Sequence, residues 1–338
     1  MEKKILIISH KEDNDGIFSA AIIKNFMVSE KKISEDRFVL SLIDYDEAPK
    51  TFKHIIETCD EYNEVYISDI SFAPYSMKKI YEIFGDKLTW FDHHKPIIEK
   101  SVEMHFDCIK GIRQSDKSAL LNAYIYFYGE TNIPKLFTYL SLWDSWTYDK
   151  RDRDFIMSIN EGVNIEYKLN FDSIYALVGN IVNSYNGKIM PNDMNFTLFN
   201  STKLDSGIIA DMKMKGENVI KYRNYHFEKI LREFGDYSWK IRTENGHRTA
   251  CALFLQEHTN SIIFESVSDK IQNGIVFKRL PNSNWALSLY NTNDNDIFHC
   301  GTFCQKAYNG GGHKGAAGAV LTERQMFGLL STKTLKIL

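Results

Sequence analysis

Four short apolar runs punctuate the first part of the chain: KILIIS (Lys4–Ser9), FVLSLID (Phe38–Asp44), EVYISD (Glu64–Asp69) and LTWFD (Leu88–Asp92). Helix-like stretches separate them, the first from Gly16 to Met27. Runs this short, rich in β-branched and aromatic residues, read as buried strands, and their alternation with helices predicts a doubly wound, mainly parallel α/β sheet. In such a sheet a ligand binds beyond the carboxyl ends of the strands. That rule selects the residues to inspect for chemistry.

The first run leads into SHKEDNDG, which carries His10, Asp13 and Asp15. The third ends at Asp69, and the fourth in FDHHK, with Asp92, His93 and His94. Farther along, LWDSWTY offers Asp144 between aromatic residues. Each has an ordinary explanation alone: Asp13 or Asp15 caps the following helix, Asp69 fills a turn, the histidine pair lies on the surface, and Asp144 caps another helix. Together they do not. Carboxylates gathered at adjacent strand ends repel one another unless protons, bases or metal ions neutralise them. Imidazoles beside carboxylates make the mixed oxygen and nitrogen set that suits manganese, magnesium, iron or zinc. The inventory fits two divalent ions about 3.5–4 Å apart with one carboxylate between them, an arrangement that activates water and stabilises charge in a displacement at phosphorus.

A chain of 338 residues exceeds one typical core. We expect a metal-binding domain over residues 1–190, a helical linker over 191–235 and a smaller α/β domain over 236–338. From Leu204 to Phe234 apolar residues recur at helical spacing, with Gly216 counting against continuity. The β-rich segments TACALFL, GIVFKRL and WALSLY follow. Near the C-terminus, YNGGGHKGAAGAV has almost no side-chain bulk. Gly310, Gly311 and Gly312 allow consecutive N–H groups to form an anion site, with His313 as a side-chain donor; the other reading is a tight turn with close packing through Ala316–Ala319. A net charge of −3 argues against coating nucleic acid by bulk electrostatics. The N-terminus lacks the pattern of a secretory signal, and no apolar run reaches the roughly 20 residues needed to cross a bilayer. Five irregularly spaced cysteines fit a reducing cytosol. His299, Cys300 and Cys304 lack a second ligand pair nearby, so buried cysteines are expected there rather than zinc.

HKEDND, the strand-end Asp69, DHH and Asp144 resemble the four motifs of the DHH phosphoesterase superfamily, of the oligoribonuclease (nanoRNase-like) kind. GGGHKGAAG resembles the signature of that family's associated C-terminal domain. The resemblance runs from Ile5 to Val320. It implies a first domain facing a smaller one across a cleft, and two divalent ions, Mn²⁺ foremost and Mg²⁺ as the other choice. It implies that His10 and Asp13 hold one metal, that Asp15, His93 and Asp144 hold the other, and that Asp69 bridges both. Asp92 would orient the metal-bound histidine, and His94 would contact the phosphate or the leaving group. Lys11 and Glu12 separate His10 from Asp13, a spacing that differs from many relatives and leaves Glu12 as an alternative ligand. Gly310–His313 would hold a phosphate or terminal nucleotide. Where many relatives have an arginine after the SL strand this chain has Tyr290, which either stacks on a base or covers the core. Lys278 and Arg279 are phosphate-contact candidates, of which only one can face a cleft.

The resemblance implies a cytoplasmic phosphodiesterase of short oligonucleotides, with phosphomonoesterase action on 3′-phosphoadenosine 5′-phosphate as a further activity. The alternatives are a hydrolase of cyclic dinucleotides or of inorganic polyphosphate or pyrophosphate, and an inactive scaffold that kept the fold. Compact length without an added nucleic-acid module disfavours a long-DNA exonuclease. The glycine motif disfavours a dedicated pyrophosphatase, and the full set of ligand types disfavours the scaffold. The implied partners are short single-stranded oligonucleotides or nucleotides, with no membrane; oligomeric state is left open, a homodimer included.

Overall fold

The computed structural model describes residues 3–185, 201–244, 246–256, 261–292, 297–312 and 314–336. The chain divides into two compact units, Met1–Ile220 and Lys221–Leu338.

In the first unit the strands β1 (Lys4–His10), β2 (Phe38–Ile43), β3 (Tyr62–Ser68) and β4 (Leu88–Phe91) form a parallel sheet in the order β2-β1-β3-β4. Its helices are α1 (Asn14–Ser29), α2 (Ala48–Glu57), α3 (Pro74–Phe84), α4 (Lys95–Glu103), α5 (Ala119–Tyr128), α6 (Lys135–Ser145), α7 (Arg153–Tyr167), α8 (Phe171–Tyr185) and the first part of α9 (Ser201–Phe234). Successive side chains of β1 point to opposite faces. Ile5 and Ile7 join the core made by α1, α5, α6, α7 and α8, while Leu6 and Ile8 join the core under α2 and α3. Burial on both faces explains why the run is continuously apolar rather than alternating. Each such side chain taken out of water contributes about 1.5–3 kcal/mol before entropy is counted. Helix α1 is itself enclosed, with Ile17, Phe18 and Ala20–Ile23 all buried.

The expected break at Gly216 is absent: α9 runs unbroken through it. A Cβ on Gly216 would stand 1.8 Å from the Ser158 carbonyl oxygen, and one on Gly162 would stand 1.9 Å from that of Met212. The two glycines let α7 and α9 touch backbone to backbone.

In the second unit a mixed sheet has the order β11-β5-β6-β7-β8-β10-β9. It comprises β5 (Asp236–Thr243), β6 (Gly246–Phe254), β7 (Asn273–Arg279), β8 (Trp285–Asn291), β9 (Gly311–Gly312), β10 (Ala316–Leu321) and β11 (Thr334–Lys336). Helices α10 (Cys300–Tyr308) and α11 (Glu323–Thr332) cover one face, where Ile241, Ile275, Phe277 and Leu289 are buried. Leu231 and Phe264 cover the other. Cys300 and Cys304 are core residues of this unit, and burial pushes the Cys304 thiol up to about 11. No helix among the described residues is long and apolar enough to cross a membrane.

Candidate metal centre

The acidic and histidine residues of the first unit gather beyond the carboxyl ends of the parallel strands. β1 ends at His10, whose Nδ1 lies 2.7 Å from Asp13 Oδ2. Asp13 Oδ1 accepts the Gly16 N–H at 2.9 Å and caps α1. The capping reading of Asp13 therefore holds on Oδ1, while Oδ2 faces His10. Asp69 follows β3 with a left-handed backbone, φ 55°, a conformation that costs a non-glycine residue about 1 kcal/mol. Its carboxylate is divided between two neighbourhoods: Oδ2 is 3.5 Å from His10 Nδ1, and Oδ1 is 3.5 Å from His93 Nε2. His93 Nε2 also lies 3.0 Å from Asp144 Oδ2 and 3.9 Å from Asp15 Oδ2.

Asp15 does not cap its own helix. Its two oxygens accept the backbone N–H groups of Ala119 and Leu120 at 2.7 and 2.8 Å, at the start of α5. Helix N-termini favour carboxylates, and the residue preceding α5, Ser118, makes no side-chain cap. Asp144 lies in the last turn of α6.

Three groupings of ligand atoms fall within 4.8 Å of one another: His10, Asp13 and Asp69; Asp15, Asp69, His93 and Asp144; and Asp69, His93 and His94. Asp69 belongs to all three. Glu12 belongs to none among the described residues and is exposed. Two buried carboxylate oxygens, Asp69 Oδ2 and Asp144 Oδ2, lack a hydrogen bond despite their imidazole neighbours. A buried acceptor left without a donor costs about 1–3 kcal/mol. Burial, followed by the charges of Asp15 and Asp13, pushes the carboxyl groups of Asp69 and Asp144 well above the usual carboxylate range. At His10, burial opposes the charged form, but Asp13 and Asp44 outweigh it and raise the pKa. Orphaned oxygens facing imidazole nitrogens fit divalent cations, which would take the place of the missing donors.

One role differs from expectation. Asp92 was expected to orient the ring of His93; its Oδ1 instead accepts from Nδ1 of His94 at 2.8 Å and raises the His94 pKa. It reaches His93 only through that residue's backbone N–H, at 2.7 Å, and its Oδ2 accepts from Trp90 Nε1 at 3.1 Å. Asp92 Oδ1 is engaged by the backbone N–H groups of His93 and His94 and by the His94 ring.

Sequence reasoning missed Asp44. It follows β2 and lies 3.5 Å from His10 Nε2, on the ring nitrogen opposite Asp13. The signal was present, because FVLSLID ends in an aspartate like its neighbours, but no motif pointed to it.

The remaining candidates lie in the second unit. Gly310 must be small, since a Cβ would meet the Gly318 carbonyl oxygen at 2.1 Å, and Gly312 has φ 137° with β10 directly against it. Gly311 is exposed and has open space around it. The fold itself thus requires two of the three glycines, and Gly311 alone has no internal packing reason. His313 lies outside the described residues. Tyr290 is buried among Phe264 and Leu253, so of its two suggested roles it fills that of covering the core. Arg279 points to the α11 side, where it pairs with Glu323 at 3.6 Å, whereas Lys278 and Tyr290 occupy the opposite face of the sheet.

Fold and cluster together define a class: a two-unit α/β protein with a carboxylate- and imidazole-rich centre at the ends of parallel strands. No family model matches the chain, and no curated protein matches it. Among solved structures it is similar to a pGpG-specific phosphodiesterase, PggH, from Vibrio cholerae, at 13% identity over 98% of this chain and 97% of that one, with a TM-score of 0.51. Looser likenesses are to an uncharacterised protein from Helicobacter pylori G27 (14% identity, 95% and 94% coverage, TM-score 0.38) and to an exopolyphosphatase-related protein from Bacteroides fragilis (14% identity, 98% and 91% coverage, TM-score 0.40). At such identities the likeness is one of fold.

Proposed function

We propose that this chain is a metal-dependent phosphodiesterase that hydrolyses short oligonucleotides, with nucleotide phosphomonoesters such as 3′-phosphoadenosine 5′-phosphate as further substrates. The observation that carries the reading is the divided Asp69 carboxylate, buried, with one oxygen toward each histidine-containing group and Oδ2 without a hydrogen bond. His10, Asp13 and Asp69 would hold one divalent cation, and Asp15, Asp69, His93 and Asp144 the other. Bound there, Mn²⁺ or Mg²⁺ would supply charge neutralisation at a phosphate and activation of water. His94, although within reach of Asp69 and His93, is assigned to the substrate instead. Its side chain is 43% exposed, and Asp92 fixes its ring through Nδ1. The other ring nitrogen is then available to donate to a phosphate or leaving-group oxygen when the ring is charged. The backbone of α5 orients Asp15 from behind. On that reading the exposed Gly311 of the second unit would offer its backbone to a phosphate. Similarity in fold to a pGpG-specific phosphodiesterase supports a dinucleotide-sized substrate.

The same cluster serves phosphoanhydrides, so inorganic pyrophosphate and polyphosphate, and cyclic dinucleotides, are the competing substrates. The test incubates the full chain and Mn²⁺ with RNA dinucleotides, longer RNA, cyclic dinucleotides, 3′-phosphoadenosine 5′-phosphate and pyrophosphate, and compares initial rates. Fastest turnover on the dinucleotides is expected. Turnover of pyrophosphate alone would transfer the assignment to the anhydride reading, and absence of both hydrolysis and metal binding would leave a scaffold.

A further inference from the structure

Asp144 sits inside LWDSWTY, and the aromatic residues of that segment are not core. Among the described residues, Trp143, Trp146 and Tyr148 belong to none of the hydrophobic core clusters. They pack on one another instead. Trp143 and Trp146 have ring centroids 5.8 Å apart at 26°, Trp143 and Tyr148 are 5.8 Å apart at 12°, and Trp146 and Tyr148 are 6.1 Å apart at 38°. Trp146 closes α6 in a left-handed conformation, φ 55° and ψ 32°, and is 72% exposed. A bulky residue in that conformation is uncommon. Exposing that much indole forgoes the stabilisation burial would give it.

The rings adjoin the acidic cluster. Trp143 lines a cavity of about 350 Å³ together with Asp13, Asp15, Asp144, Asn164 and Lys168. That volume lies in the range of small-molecule sites, about 300–1,000 Å³. The lining carries carboxylates of the candidate metal centre and the Trp143 indole, and the rings of Trp146 and Tyr148 adjoin that indole. A molecule that matches this sequence of surfaces has a phosphate at one end and a flat aromatic group at the other. Every nucleobase has a π-face, so stacking on such rings tolerates any base.

We propose that Trp143, Trp146 and Tyr148 form a stacking platform for a nucleobase of the substrate, beside the acidic cluster, and so favour base-bearing phosphoesters over inorganic phosphate chains. The proposal rests on the phosphoesterase reading above and narrows it to nucleotides.

The test measures equilibrium binding of adenosine 5′-monophosphate and of inorganic phosphate to the Mn²⁺-loaded full chain by calorimetry, for wild type, Trp146→Ala, Tyr148→Ala and Trp146→Phe. Loss of one stacking ring should weaken adenosine 5′-monophosphate about 5- to 100-fold, leave phosphate binding within twofold (about the error of the method), and be largely restored in Trp146→Phe. Equal weakening of both ligands, or none for the nucleotide, overturns the platform. So does a variant whose only change is its oligomeric state, since the rings would then cover a second copy of the chain. Because binding is read without turnover, a wild-type protein that binds the nucleotide through these rings but hydrolyses no phosphoester would defeat the functional reading and keep the platform.

Discussion

Asp15 and Ala119 lie 104 positions apart in the chain, and the Asp15 carboxylate accepts the Ala119 amide at 2.7 Å. The bond ties the candidate metal centre to the start of α5. A second helix is started the same way: Asp205, on α9, accepts the amides of Lys135 and Leu136 at 2.6 and 3.1 Å at the start of α6. Neither helix has a side-chain cap from the residue before it. Carboxylates brought from elsewhere in the fold satisfy amides that would otherwise lack partners.

The crowded carboxylates should make stability respond to metal. Ligand at a hundredfold excess over its Kd stabilises by about 2.7 kcal/mol, and each kcal/mol moves Tm by about 2–4 °C in larger domains. Mn²⁺ should therefore raise the melting temperature of wild type by several degrees, and chelator should reverse it. Asp69→Asn should abolish most of the rise, because Asp69 belongs to all three groupings of ligand atoms. A melting curve indifferent to Mn²⁺ in the wild type would remove the metal assignment.

The histidines of DHH should separate. His93→Ala removes a group within reach of Asp69 and Asp144 and should lower bound metal, read by elemental analysis. His94→Ala should retain metal and lose turnover, since its ring is committed to Asp92. Equal metal loss in the two variants would make His94 a ligand, as its proximity to Asp69 and His93 also permits.

Asp44 should matter although it ligates nothing. A carboxylate on the second nitrogen of a metal-ligating imidazole fixes its tautomer, and removing such a partner costs about 10–100-fold in metal affinity or activity. Asp44→Ala should therefore weaken Mn²⁺ binding by about that factor with little change in the melting temperature of the metal-free protein. An unchanged affinity would show that the 3.5 Å approach to His10 has no such role.

Gly216→Ala sets local propensity against packing. In an exposed helix the change would stabilise by about 1 kcal/mol. Here the added methyl group meets the Ser158 carbonyl, so α7 and α9 must part and the variant should be less stable by about 1–3 kcal/mol. Chemical denaturation decides the sign.

The second unit should lose stability in acid through Asp236. Burial alone would raise its pKa, but Ser238 and Lys333 outweigh it and bring it to about 2. A carboxyl group depressed in the folded state stabilises above its unfolded pKa, near 3.9, and that contribution fades as pH falls toward about 2. Asp236→Asn should flatten the dependence in that window, measured by the midpoint of urea unfolding against pH.

Much was legible in the chain itself. Ile5–Ile8 are apolar at consecutive positions, so both sheet faces had to be covered and the strands had to be parallel and interior. Aspartates and histidines at the ends of several such runs then had to converge, because parallel strands bring all their carboxyl ends to one edge. His10, Asp13, Asp15, Asp69 and His93 could be named as candidates from that geometry, whereas Asp144, on α6, and the division into two ligand sets rested on the family resemblance.

Pairings that depend on direction and distance were not legible. The preference of Asp92 for the ring of His94, the place of Asp44 behind His10, and the docking of Asp15 on α5 follow from where loops turn, which no local pattern encodes. Gly216 reads as a helix breaker in one dimension and proves to be a contact point in three. Spacing and residue type determine which faces are buried and which ends meet; only the packed structure decides which atom faces which, because a shift of a single bond rotation moves a carboxylate from one partner to another.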